Sequence, residues 1–160
     1  MSIAFLGLGS NIQARQNIAS GIKTLRKRFR QLELSPVYQT VPFGFDGDDF
    51  INLVARVETE MSPLELKDFL HRLEDRHDRD RRAPKFSART LDIDILLYDD
   101  LYLLSPELEL PREEILEAAY VLKPLADLAP ELRHPVERKT IAELWEGFPG
   151  KTAGMKQITL

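Results

Sequence analysis

The sequence predicts an α+β fold, a βαββαβ core whose antiparallel sheet carries its helices on one face, and three observations predict it. A short apolar run opens the chain, two later segments carry apolar residues at helical spacing, and a strictly alternating segment over 91–98 closes the series. The 160 residues suit a single domain, 1–160, able to bury roughly 70% of its unfolded surface.

Ile3 to Leu8 is continuously apolar and stops at Gly9 and Ser10, as a strand covered on both faces should. Ile18, Ile22, Leu25 and Phe29 then recur at intervals of four, three and four, which predicts an amphipathic helix. Its polar side holds Lys23, Arg26, Lys27, Arg28 and Arg30, read as a solvated face. Leu32 to Thr40 predicts a strand interrupted near Pro36, and Phe50 to Thr59 a further strand after a Gly- and Asp-bearing loop too long for a tight hairpin. Ser62-Pro63-Leu64-Glu65 predicts a capped helix start, because Ser caps, Pro suits the first turn and Glu three residues after Ser closes a capping box. Leu66, Phe69, Leu70 and Leu73 form that helix's core stripe, which fades in a charged tract, 75–89, read as a loop. From Leu91 the period is two, placing Leu91, Ile93, Ile95 and Leu97 on one face and Asp92, Asp94 and Leu96 on the other. This order of elements is ferredoxin-like, with additional short C-terminal helices beyond residue 100. Loops 41–49 and 78–88 have little apolar content to anchor them and are expected to close over ligands.

Twenty-two basic against 26 acidic residues leave a formal charge of −4, so nucleic acid is not an expected partner. The absence of cysteine excludes disulfides, thiolate metal sites and a cysteine nucleophile. The N-terminus lacks a basic leader and its apolar run is far shorter than a membrane span of about 20 residues, so no membrane association is expected and the chain reads as cytoplasmic.

Asp92 and Asp94 are the most informative residues. Two residues apart on a strand, their carboxylates leave the same face about 6.6–6.8 Å apart along the chain, a spacing that suits hard cations completed by substrate phosphates. The plain alternative is a solvent-facing strand edge, but Asp is disfavoured in strands and occurs twice here in an apolar segment. The preceding tract adds Arg72, Arg76, Arg79, Arg81, Arg82, Lys85 and Arg89, and cations beside a carboxylate–metal site are what phosphoryl transfer requires. Interleaved Glu74, Asp75, Asp78 and Asp80 would equally make a salt-laced helix end.

Other motifs carry less. Gly147 to Thr152 has only two residues between its glycines where a Walker A loop has four, and reads as a frayed tail. Gly7-Leu8-Gly9 lacks the third glycine of a dinucleotide fingerprint, and His71, His77 and His134 form no zinc motif.

Across nearly its full length the chain resembles the 6-hydroxymethyl-7,8-dihydropterin pyrophosphokinases of folate biosynthesis. The resemblance rests on Gly9-Ser10-Asn11, Ser35-Pro36-Val37-Tyr38-Gln39-Thr40, Phe50-Ile51-Asn52, the highly specific Arg89-Thr90-Leu91-Asp92-Ile93-Asp94-Ile95, and Pro124-Leu125 with Ala129-Pro130-Glu131-Leu132. It implies a ferredoxin-like monomer that moves the β,γ-diphosphate of ATP to a reduced pterin's hydroxymethyl oxygen and releases AMP. By the same resemblance Asp92 and Asp94 hold two Mg²⁺ ions, and Arg79 and Arg89 stabilise the transferring group. Arg81 and Arg82 are secondary phosphate contacts, and His71 and Glu74 meet nucleotide. Asn52 reads the pterin edge, Thr40 and Pro42 form a backbone rim, and Phe43, Phe50 and Tyr120 are its walls; a flat heteroaromatic does need π faces with a few fixed polar partners. Several positions depart from the family pattern. Pro111-Arg112 stands for Pro-His, Ala118 for an arginine, Phe86 for a tryptophan and Asp78 for a small residue, with Arg112 placed to restore the lost cation near ATP. The alternatives are a paralogue of the same fold that acts on a related pterin or is weakly active, and a non-catalytic nucleotide- or RNA-binding module; no RNP-type aromatic segment supports the latter.

Overall fold

The computed structural model describes residues 1–42, 47–78, 82, 89–150 and 154–160. The elements are β1 (Ser2–Ser10), α1 (Ala14–Arg28), β2 (Leu32–Leu34), β3 (Val37–Thr40), β4 (Phe50–Thr59), α2 (Pro63–Asp75), β5 (Asp92–Tyr98), β6 (Leu103–Leu104), β7 (Glu109–Leu110), α3 (Glu114–Glu117), α4 (Ala119–Leu128), α5 (Ile141–Glu146) and β8 (Met155–Ile158). The main sheet runs β5-β1-β4-β3-β8, antiparallel throughout, with β2 beside β3 on the same edge of β4. Without β8 that is the predicted order of a split βαβ pair.

The interruption between β2 and β3 falls at Ser35 and Pro36 as expected. Pro36 has no N–H to donate, and Ser35 serves the ladder instead: its N–H donates to Val54 O (2.9 Å) and its Oγ accepts from Val54 N (2.8 Å). α2 begins with the predicted capping box, Ser62 and Glu65 satisfying each other's backbone N–H groups.

The sheet has two packed faces. Ala4, Leu6 and Leu8 of β1 join Ile18, Ile22 and Leu25 of α1 and Leu66, Leu70 and Leu73 of α2 on one face, where each fully buried Leu is worth about 1.5–3 kcal/mol. Phe5, Val54, Leu96 and Leu97 face the other way, against Ile115, Val121, Leu122, Leu125 and Ile141 of α3, α4 and α5. The core helices thus share one face as predicted, and the C-terminal helices cover the second.

Two expectations are corrected. Leu97 does not lie with Leu91, Ile93 and Ile95. Leu6 pairs with Ile95 while Phe5 pairs with Leu97, so a bulge at Leu96 breaks the two-residue period and sends Leu96 and Leu97 to the same core. Nor does the segment from Gly147 fray where it is described: Phe148 stacks on Trp145 (centroids 5.9 Å apart), and β8 returns to pair with β3, while residues 151–153 lie outside the described residues. With only Met155 and Ile158 part-buried, β8 shows no periodicity for sequence reading to detect. The β6–β7 hairpin, two residues per strand, escaped for the same reason.

No helix among the described residues is long and apolar enough to cross a membrane.

Candidate active site

The candidate site lies on the second face, beside α4. Register brings its residues together: Asp92 pairs with Gly9, Gly9 with Asn52 and Asn52 with Tyr38, making one row across β5, β1, β4 and β3. Asp94 pairs with Gly7 one step along. Strands about 4.8 Å apart put the carboxylate strand and the amide strand about 10 Å from each other across a glycine. Gly9 is required there, because a Cβ would stand 2.7 Å from Asn52 Nδ2.

A small cavity over this row, about 30 Å³, is lined by Gly7, Asn52, Asp92, Asp94, Glu114 and Tyr120 among others. Thr40, buried, donates its Oγ1 to Asn52 Oδ1 at 3.4 Å, and Phe50 pairs with Thr40 in the ladder. Burial first, then Glu114, Asp92 and Asp94, push the Tyr120 phenol up to about 12, so its hydroxyl keeps its proton beside the carboxylates. Asp94 is itself pushed up to about 8, by burial and then by Asp92, with Glu114 and Glu74 adding and Arg112 opposing.

β5 is the sheet's edge strand, and its outer side is occupied. Glu74, 2% exposed on α2, accepts the Ile93 N–H at Oε2 (2.7 Å), and the Arg112 N–H donates to Leu96 O (3.0 Å). Arg112 therefore stands beside Asp94, its Nε 3.7 Å from Asp94 Oδ2 and 2.9 Å from Glu114 Oε1. On this edge lies a second cavity of about 310 Å³, between Lys67, Leu70 and His71 of α2 and the segment 105–109, with Asp94 and Arg112 also in its wall. Asp94 lines both cavities.

The lead into β5 is clamped by the motif that ends β1. Ser10 Oγ, fully buried, donates to Thr90 O (2.5 Å), and the Asn11 and Ile12 N–H groups converge on Arg89 O (2.9 and 3.1 Å). Asn11 Oδ1 accepts from Arg89 N (2.7 Å) while its Nδ2 donates to Asp48 O (3.0 Å). One buried amide thus ties the segments that flank the row on either side.

The structure therefore brings together Asp92, Asp94, Asn52, Thr40, Phe50, Tyr120 and Arg112, sets Arg89 at the head of β5, and puts His71 on the edge cavity. Glu74, expected to meet nucleotide, does not line this cavity; its Oε2 accepts the β5 backbone N–H of Ile93. Arg82 is exposed and Pro42 half-buried; Phe43, Arg79, Arg81 and Phe86, and most of the loops 41–49 and 78–88 expected to close, lie outside the described residues. Asp78 has a backbone reason of its own: at φ 58 it needs a residue that tolerates the left-handed region, and Asp does. Ala118, in place of the family's arginine, is buried against α4. Sequence reasoning missed Glu114 and gave Ser10 and Asn11 no role; only the Gly9-Ser10-Asn11 motif signalled the latter.

The donor set also limits what metal would fit. Among the described residues no three His, Cys, Asp or Glu side chains converge to enclose an ion. Two strand carboxylates fit a hard cation that keeps waters and takes its remaining oxygens from phosphate, the habit of Mg²⁺, and not a metal that demands a protein cage.

Comparison with known proteins identifies the family. The chain is 38% identical over 149 residues to a 2-amino-4-hydroxy-6-hydroxymethyldihydropteridine pyrophosphokinase of Pseudomonas aeruginosa, covering 91% of each, and 33% identical to the Haemophilus influenzae protein of the same name, covering 92% of this chain and 94% of that one. It is 34% identical to a folic acid synthesis protein of Schizosaccharomyces pombe but spans only 21% of it. The fold matches a Plasmodium falciparum HPPK-DHPS crystal structure with pterin and p-hydroxybenzoate at TM-score 0.79, 16% identity, 99% of this chain and 47% of that one. Residues 5–130, from the first strand through the carboxylate strand to the end of α4, match the 7,8-dihydro-6-hydroxymethylpterin-pyrophosphokinase family, and the chain belongs to it.

Proposed function

We propose that this chain transfers the β,γ-diphosphate of ATP to the hydroxymethyl oxygen of 6-hydroxymethyl-7,8-dihydropterin, with Mg²⁺, in folate biosynthesis. The observation that carries the reading is Asp94, a carboxylate in the wall of two cavities of unequal character. The larger, on the β5 edge, suits the nucleotide, with His71 and Arg112 in its wall; the smaller, between Asn52 and Tyr120, offers a flat heterocycle an amide for its edge and a ring for its face, and at about 30 Å³ must widen to admit it. A diphosphate passing from one to the other crosses Asp92 and Asp94.

In this reaction the pterin hydroxyl oxygen bonds to the β-phosphorus, the bond between that phosphorus and the α,β-bridging oxygen breaks, AMP departs and the hydroxyl proton is released. Asp92 and Asp94 would hold two Mg²⁺ ions, which supply charge neutralisation on the phosphate oxygens. Asn52, steadied by Thr40 Oγ1, offers the pterin edge a donor and an acceptor; Pro42, Phe43, Phe50 and Tyr120 complete its rim and walls. Arg79 and Arg89 stabilise the transferring group, Arg81, Arg82 and Arg112 bind phosphate, and His71 and Glu74 border the nucleotide. Support for Arg89 comes from Asn11, which fixes its backbone at the end of the carboxylate strand. The same reading takes residues 1–160 as one domain, since one sheet joins β1 to β8, and the protein as a cytoplasmic monomer.

Incubation with ATP, Mg²⁺ and 6-hydroxymethyl-7,8-dihydropterin tests this. AMP and a pterin diphosphate formed in equal amounts are expected; ADP, or no turnover with any reduced pterin, would refute it.

A further inference from the structure

Arg112 is the one cation that the described structure places against Asp94 by an ion pair. Its backbone is pinned to Leu96 O, which fixes where the side chain starts. Its Nε is hydrogen-bonded to Glu114 at 2.9 Å and stands 3.7 Å from Asp94, a charge contact without a hydrogen bond. Both η nitrogens are unengaged among the described residues. Arg112 lines the edge cavity, whereas Glu114 lines the inner one, so the guanidinium sits between the two with half of its fork available.

We propose that Arg112, aimed by Glu114, is the cation that occupies the place beside Asp94 in the nucleotide-free protein, and that it yields this place to a divalent cation when a nucleotide's phosphates engage its η nitrogens. The inference rests on Asp94 being a metal ligand. A guanidinium and a divalent ion cannot both crowd one carboxylate without strong repulsion, so Arg112 opposes metal entry while it has no other partner. Phosphate oxygens give it one, because two parallel N–H groups match their geometry and the bond is charge-assisted. The chain would then bind divalent cation weakly alone and much better with nucleotide, and by linkage the nucleotide would gain from the metal by the same factor. Glu114 is a positioning residue here: it keeps the fork near Asp94 without itself meeting substrate.

Titration with Mn²⁺ alone, then with Mn²⁺ and a non-hydrolysable ATP analogue, tests the inference on the intact chain. Arg112→Gln should bind Mn²⁺ about tenfold more tightly than the parent without nucleotide, and the factor by which the analogue tightens Mn²⁺ should shrink to match. Arg112→Lys, which keeps the charge and loses the fork, should stay near the parent for Mn²⁺ alone and lose part of the coupling. Unchanged or weaker Mn²⁺ binding by Arg112→Gln, or unchanged coupling, overturns the proposal even where Asp94→Asn abolishes Mn²⁺ binding. If Asp94→Asn binds Mn²⁺ like the parent, the metal-site reading falls and this inference with it. Circular dichroism of each variant separates these outcomes from unfolding.

Discussion

Asp94→Asn keeps the side chain's size and removes its charge. In the folded chain burial, and after it Asp92, push this carboxyl from 3.8 to about 8, with Arg112 pulling against the shift. A carboxyl whose folded value lies above its unfolded one holds its proton more tightly when folded. Its cost to stability is therefore absent below about pH 4, grows as pH rises toward 8, and is constant above that. Moving a carboxyl from 3.8 to about 8 sets a ceiling of about 6 kcal/mol. Exposure of 28% of the side chain, and the freedom of Arg112 to draw closer, bring the expected value down to about 1–3 kcal/mol. For a chain of this length each kcal/mol moves Tm by about 2–4 °C. Without metal at pH 8 the variant should therefore melt about 2–12 °C above the parent, and at pH 5 the gain should fall by more than half. Turnover, measured as AMP formed with the reduced pterin, should drop at least about 10²-fold, the scale of losing one preorganised electrostatic partner. A variant that melts lower at pH 8, gains equally at both pH values, or keeps near-parent turnover refutes the reasoning.

Gly9→Ala should drive the Asn52 amide from its place and raise KM for the pterin about 10–100-fold with little change for ATP, as read by steady-state kinetics with each substrate varied. Burial lowers the pKa of His134, whose Nδ1 accepts from the Val136 and Glu137 N–H groups, so its contribution to stability is complete above about pH 6.5 and declines as pH falls below it; Tm of the parent should fall from pH 7 to 5 more steeply than that of His134→Asn. Ser62→Ala removes one half of the α2 capping box and should cost about 1 kcal/mol, a Tm loss of about 2–4 °C, with activity per folded molecule unchanged.

Elements with strong local signals were legible in the sequence, and those that depend on distant partners were not. The α2 capping box, the Pro36 interruption and the apolar stripes of α1 and α2 are written in residues a few positions apart, where steric and hydrogen-bonding rules act without tertiary help. Leu97 was misplaced because a bulge is decided by the pairing partner, Phe5 on another strand, and leaves no mark in β5's own alternation. β8 was missed because an edge strand needs little burial to form. The site divides in the same way. The two-residue spacing of Asp92 and Asp94 is local and was read directly, while Glu114 meets the site only because the Arg112 backbone docks on β5.

That docking gives the carboxylate strand its character. An edge strand with open N–H and C=O groups would pair with other chains, and here Glu74 and the Arg112 backbone take up Ile93 N and Leu96 O instead. Because side chain and backbone replace a neighbouring strand at these positions, the edge between them can be hollow: the 310 Å³ cavity occupies the room a further strand would have filled. The other side of β5 is the reverse case, where β1 pairs from Leu6 to Gly9 and glycine at positions 7 and 9 carries no side chain above the ladder. One strand therefore has a cavity beyond its edge and a cavity above its face. Asp94 borders both because the polar face of β5 turns toward α4 at the point where Arg112 and Glu114 close the edge. A residue on a central strand would open onto a face alone, so the edge position of β5 is what lets a single carboxylate border two cavities.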